Sequence, residues 1–143
     1  MSSAYLTRRV TFAAAHRYSR PEWSAEHNAR VFGACANPNY HGHSYACEVT
    51  VRGPIDDTTG FVVDLGALDA VLDAEVRRRF DHRNINLDVP EFADGRLVPS
   101  GENLARFIFQ RVREALATAA PEAHVTEVVV AEDGTLRVSY RED

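Results

Sequence analysis

The sequence predicts an α+β fold: a four-stranded antiparallel sheet with two helices on one face, in the order ββααββ. Three observations carry this. Apolar and polar residues alternate over two N-terminal stretches, two later stretches hold apolar residues at helical spacing, and the chain closes on two β-branched runs around Asp133-Gly134.

The first strand lies within residues 5–16, where Leu6, Arg8, Val10, Phe12, Ala14 and His16 share one face and His16 ends the run. A polar excursion with scattered aromatics, "PEWSAEHNARVFG", follows and has room for a short helix. Alternation returns from His41 to Arg52, placing His41, His43, Tyr45, Cys47, Val49 and Val51 on one face before Gly53 and Pro54 end it. After the turn "PIDDTTG", Leu65, Leu68, Leu72, Val76 and Phe80 mark the first long helix, with Asp64 as its N-cap. The stretch "DHRNINLDVPEFADGRLVP" reads as loop from its Asn, Asp, Pro and Gly content. Ser100 opens the second helix, striped by Leu104, Phe107, Ile108, Val112 and Leu116, and Pro121 lies beyond its end. The final segment, "HVTEVVVAEDGTLRVSYRE", is a hairpin around Asp133-Gly134, a pair suited to the positive φ of a tight turn.

These 143 residues make one domain, 1–143, with enough chain to bury a core unaided. Hydrophobic residues are 45% and charged residues 26%, an ordinary globular composition. No apolar run reaches membrane-spanning length and no signal-like segment opens the chain, so a cytoplasmic protein without a membrane partner is expected. A net charge of -5 argues against a nucleic-acid surface. The charge is uneven: residues 1–40 hold five Arg and two Glu, +3, which leaves -8 for the rest. All sixteen basic residues are Arg, which excludes P-loop, Schiff-base and pyridoxal chemistry, since each needs a lysine. Cys35 and Cys47 are expected as free thiols.

His41 and His43, two apart on a strand, project from one face, and His16 ends the neighbouring strand. Three imidazoles leave a fourth tetrahedral position open, the arrangement of catalytic zinc. Cys35 sits in a loop of turn-formers, "VFGACANPN", just upstream, where a thiol near a metal can be held partly as thiolate and act as base or nucleophile; the alternatives are an incidental cysteine or a fourth ligand. Cys47 alternates with Tyr45 and Val49 and reads as a small buried hydrophobe. Asp81-His82 can serve as an acid–base pair or simply end a helix, and Glu132 is either a solvated turn residue or an anchor for a ligand's N–H groups, the bare sequence favouring the former. His27 and His124 have no evident partners.

Together, His16, "FGACANPNYHGHSY", "DH" at 81 and 82, "NIN" at 84–86, "PSGEN" from Pro99 and the late Glu132 resemble the 6-pyruvoyl-tetrahydropterin synthase and 6-carboxytetrahydropterin synthase family. The resemblance spans nearly the whole chain in the right order and implies a tunnelling fold (T-fold), with trimers closing a barrel and two trimers stacking into a homo-hexamer. It implies Zn2+ held by His16, His41 and His43, and catalysis by Cys35, Asp81 and His82. It further implies substrate contacts by Glu132, with Ser100 and Glu102 in the "PSGEN" segment, to 7,8-dihydroneopterin triphosphate, and active sites between subunits. The N-terminal arginines are a source of phosphate contacts.

This chain departs from the family pattern at Tyr40, where glycine is frequent, at Ser100, where threonine is common, and at Glu132-Asp133, where Glu-Thr is often found. Three other readings stay open. One is a cupin with Glu48 as the next ligand, against which the two long helices weigh. The others are a pterin- or metal-binding module without turnover and a related dihydroneopterin-processing aldolase.

Overall fold

A computed structural model describes residues 2–142. Its elements are β1 (Ala4–His16), α1 (Ala25–Phe32), β2 (His41–Gly53), α2 (Leu65–Leu72), α3 (Arg78–Phe80), β3 (Arg83–Asn84), α4 (Ile85–Asp88), α5 (Gly101–Ala119), β4 (His124–Ala131) and β5 (Arg137–Arg141). The sheet has five strands in the order β3-β1-β2-β4-β5. The four expected strands pair antiparallel, while β3 adds two residues parallel to β1 at Ala14 and Ala15.

This fifth strand corrects the reading of residues 81–99 as plain loop. That segment also folds α4, capped by the Asn84 side chain accepting from Leu87 N–H, and a 3-10 turn over Pro90–Phe92. Ile85, Val89 and Phe92 are buried there, so three apolar anchors spaced irregularly among turn residues pin a segment that has no period to read.

Long-range alternation holds elsewhere. Phe12, Ala14, Tyr45, Cys47, Val49, Val51, Val128 and Val130 are buried on one face beneath the helices. α2 begins at Asp64, whose carboxylate accepts from Ala67 N–H at 2.9 Å, and continues through a π-helical turn at Asp73–Arg77 into α3. Its stripe advances by four residues twice, from Leu72 to Val76 to Phe80, which on a 3.6-residue helix drifts about 40° per step. The wider π turn takes up that drift, and all three side chains are buried. Leu65 alone of the expected stripe is exposed, at 40%. α5 starts at Ser100 as expected, and its five stripe residues are all buried.

The closing hairpin differs from the two-residue turn expected at Asp133-Gly134. Glu132 N–H donates to the Leu136 carbonyl at 3.1 Å, enclosing a wider loop, and Asp133 accepts from both the amide and the hydroxyl of Thr135 at 2.7 Å. That aspartate-centred turn replaces the positive φ expected of the pair. No helix among the described residues is long and apolar enough to cross a membrane.

Candidate active site

The antiparallel register sets His16 directly opposite His41 and Ala14 opposite His43. Because residues two apart share a face, the three imidazoles meet at the end of the buried face, with ring centroids 4.7 Å (His16–His41), 5.1 Å (His16–His43) and 5.0 Å (His41–His43) apart. One nitrogen from each lies within 4.8 Å of the others. Gly42 fits closely between the ligands, since a Cβ there would stand 3.3 Å from the Ala14 carbonyl oxygen, a tight contact. Tyr40, just before them, takes φ 67°, a left-handed conformation that explains why glycine is the easier residue at this point.

His16 is fully buried. Its Nδ1 lies 2.8 Å from the Pro99 carbonyl oxygen, which only accepts, so Nδ1 carries the proton and Nε2 keeps its lone pair. Tyr45 Oη sits 3.1 Å from Nδ1 and 3.3 Å from Nε2, a contact that also holds the ring's orientation. Burial pushes the His16 pKa down to about 4, against the pull of the Pro99 bond, and His41 is lowered for the same first reason. Both imidazoles are therefore neutral near pH 7, the form that binds metal. His43 Nε2 is buried and has no hydrogen-bond partner. An unpartnered buried nitrogen facing two further imidazoles fits a metal ion in the way that a paired one would not. Glu48 of the cupin reading faces away: it alternates with the ligands along β2 and lies 3.8 Å from Arg137.

Glu132 continues the parity of Val128 and Val130 and is 8% exposed, which corrects the reading of a solvated turn residue. Oε1 accepts from Tyr18 Oη–H at 3.0 Å, and Oε2 lies 3.8 Å from His43 Nε2. One hydrogen bond is few for a buried carboxylate with about four acceptor positions. Burial, then the neighbouring Glu132 charge, raise the Tyr18 pKa, so its phenol stays protonated and donates.

Cys35 lies in the 3-10 turn Gly33–Ala36 that follows α1. Its carbonyl accepts from Tyr18 N–H at 2.8 Å, tying the turn to the residues just beyond His16. Burial first, and the Glu132 charge second, push its thiol pKa up. The protein's own groups thus favour the thiol, whereas the thiolate is expected of a cysteine beside a metal. Both cysteines are free, and Cys47 is fully buried as expected.

Asp81 and His82 stand elsewhere. Asp81 accepts from Ala13 N–H at 2.9 Å, the chief cause of its lowered pKa, and His82 N–H donates to the Ala13 carbonyl at 2.6 Å. Their side chains pair at 3.1 Å, with the imidazole 85% exposed and the residue at φ 59°. His82 borders an open hollow of about 550 Å³ that is also lined by Ala13, Ala15, Gly42, Ser44 and His43. Among the described residues no hydrogen bond joins the pair to Cys35 or to the three histidines, although His82 and His43 line the same hollow. Ser100 caps α5, accepting from Asn103 N–H at 3.2 Å, and Glu102 is exposed in the first turn, near enough to Tyr18 to act on its pKa.

Sequence reasoning assigned no site role to three residues that the structure sets around the ligands. Tyr18 and Tyr45 follow the ligands by two positions, so parity with His16 and His43 was the available signal. Asn86 is buried and brackets the Arg17 backbone, accepting from its N–H at 2.9 Å and donating to its carbonyl at 3.0 Å. That side chain extends the sheet's pairing past His16. His27, unpartnered in sequence, stacks on Trp23 at 4.0 Å.

A profile of the family described as 6-pyruvoyl tetrahydropterin synthase matches residues 5–143. The chain belongs to the 6-pyruvoyl tetrahydropterin synthase family. It is 42% identical to the 6-pyruvoyl tetrahydrobiopterin synthase of Drosophila melanogaster over 139 residues, 96% of this chain and 79% of that protein. The solved 6-pyruvoyl tetrahydropterin synthase of Caenorhabditis elegans superposes with TM-score 0.90 at 30% identity, covering 100% of this chain and 98% of the other. A dihydroneopterin monophosphate aldolase of Pyrococcus furiosus is 33% identical over 108 residues, 76% of this chain and 74% of that protein. The T-fold expected from the sequence is thus the fold of this synthase family.

Proposed function

We propose that the chain is a zinc-dependent lyase that converts 7,8-dihydroneopterin triphosphate with loss of triphosphate, as the named activity of its synthase relatives supports. The observation that carries the reading is a buried, nearly donorless carboxylate, Glu132, set 3.8 Å from an unpartnered imidazole of a three-histidine cluster. A pterin ring offers adjacent N–H groups that a carboxylate can accept together, and its side chain carries the oxygens that a metal would meet.

His16, His41 and His43 would hold zinc, which when bound supplies a Lewis acid toward the substrate's side-chain oxygens. Glu132 accepts the ring N–H groups and fixes the pterin plane. Cys35, as the thiolate that a bound metal would favour, takes a proton from a side-chain carbon, and the electron pair so released expels triphosphate as its C–O bond breaks. Asp81 orients His82, which exchanges that proton with solvent, contributed by a second copy of the chain in a homo-oligomeric, hexameric assembly. Ser100 and Glu102, at the start of α5, would add substrate contacts. Arg17, whose Nε is buried without a partner, lines a hollow of about 490 Å³ beside the Cys35 turn and supplies the phosphate contact.

The test is mass spectrometry of products after anaerobic incubation of zinc-loaded protein with 7,8-dihydroneopterin triphosphate. A 6-pyruvoyl-tetrahydropterin product with released triphosphate is expected, a 6-carboxytetrahydropterin product with a two-carbon aldehyde places it on the carboxy branch, and intact substrate overturns the proposal. The Pyrococcus relative favours one second reading, an aldolase that cleaves the side chain with phosphate retained, and the same spectrum separates it.

A further inference from the structure

Tyr18 touches three of the parts from which the site is built. Its hydroxyl donates to Glu132 Oε1 at 3.0 Å, its amide donates to the Cys35 carbonyl at 2.8 Å, and its ring meets His16 edge-on at 5.0 Å and Phe32 at 5.8 Å. The hydroxyl bond is the single side-chain hydrogen bond made to Glu132 among the described residues. Without it, the carboxylate would turn freely about its last torsions, with Oε2 already only 3.8 Å from the imidazole nitrogen of His43.

We infer that Tyr18 is a positioning residue that fixes the plane of the Glu132 carboxylate, holding Oε1 so that the remaining acceptor positions stay directed at a ligand's N–H groups. This rests on Glu132 as the pterin anchor. A carboxylate held in one orientation binds a planar pair of donors without first losing torsional freedom, so the contribution appears in ligand affinity. Through its main chain Tyr18 also ties the Cys35 turn to the same strand end, but the substitution to phenylalanine leaves that amide bond and the ring contacts in place.

The experiment is a double-mutant cycle on the 143-residue chain, with neopterin as probe and affinity read by calorimetry, alongside thermal midpoint and zinc content. Tyr18→Phe is expected to weaken neopterin about tenfold, with zinc content unchanged and a modest fall in midpoint, because one hydrogen bond to a charged group is lost. Glu132→Gln is expected to weaken it about 100-fold. The double variant should bind no more weakly than Glu132→Gln alone, since Tyr18 acts through the carboxylate. In turnover, Tyr18→Phe should raise KM while kcat holds. Wild-type affinity for Tyr18→Phe, or additive losses in the double variant, overturns the inference while leaving Glu132 as the anchor. Wild-type affinity for Glu132→Gln instead overturns the anchor itself and the inference with it.

Discussion

The imidazole cluster and the Asp81-His82 pair sit near the same end of β1 and are held by different means. His16, His41 and His43 belong to β1 and β2, whose unbroken 13-residue register fixes every ring relative to the others. Asp81 and His82 follow α3, clasp the main chain of Ala13 and leave an 85% exposed imidazole turned to an open hollow. The difference teaches that a continuous strand register brings one set together, while the other is clasped to the main chain and keeps its imidazole in solvent.

The strongest way to break this comparison is to remove a ligand. His43→Ala should abolish zinc retention and take activity below detection while the chain still folds, as zinc analysis and circular dichroism would check. Next, Cys35→Ala should lower turnover by about 10²- to 10⁴-fold with zinc retained. Retained zinc separates loss of chemistry from loss of the cluster. Co-expressing Cys35→Ala with His82→Ala sharpens the contrast further. If the two residues serve one site from different copies, mixed assemblies should recover up to about a quarter of wild-type activity, whereas a site within one chain recovers none.

Acid should separate the regions more gently. With a folded-state pKa near 4 against about 6.5 when unfolded, His16 keeps more of its protons off in the folded state. The folded form therefore has its full advantage above pH 6.5 and loses it as pH falls toward 4, up to about 3 kcal/mol, readable as a falling denaturant midpoint of the metal-free protein. The smallest effect expected is Ser100→Ala, about 1 kcal/mol from the lost α5 cap, with zinc content unchanged.

What the sequence disclosed follows the same division. Period-2 alternation places His16 beside His41 and His43 because strand geometry turns parity into direction, and Asp64 and Ser100 mark helix starts by the same local logic. Residues 81–99 hid β3 and α4 because Ile85, Val89 and Phe92 are held by burial rather than by a repeating pattern. Glu132 looked like a turn residue, since the loop that encloses it depends on Asp133 capturing Thr135, an interaction no period reveals. Cys35 was placed by motif, but its protonation depends on Glu132, 97 residues away in the chain, and on burial.

The paired bonds that Asn86 makes to Arg17 imitate a strand neighbour with a side chain. A side-chain amide can stop the sheet where a real strand would carry it onward, so the chain turns away into its excursion immediately after the last ligand. The open end of the sheet is thereby kept as a mouth.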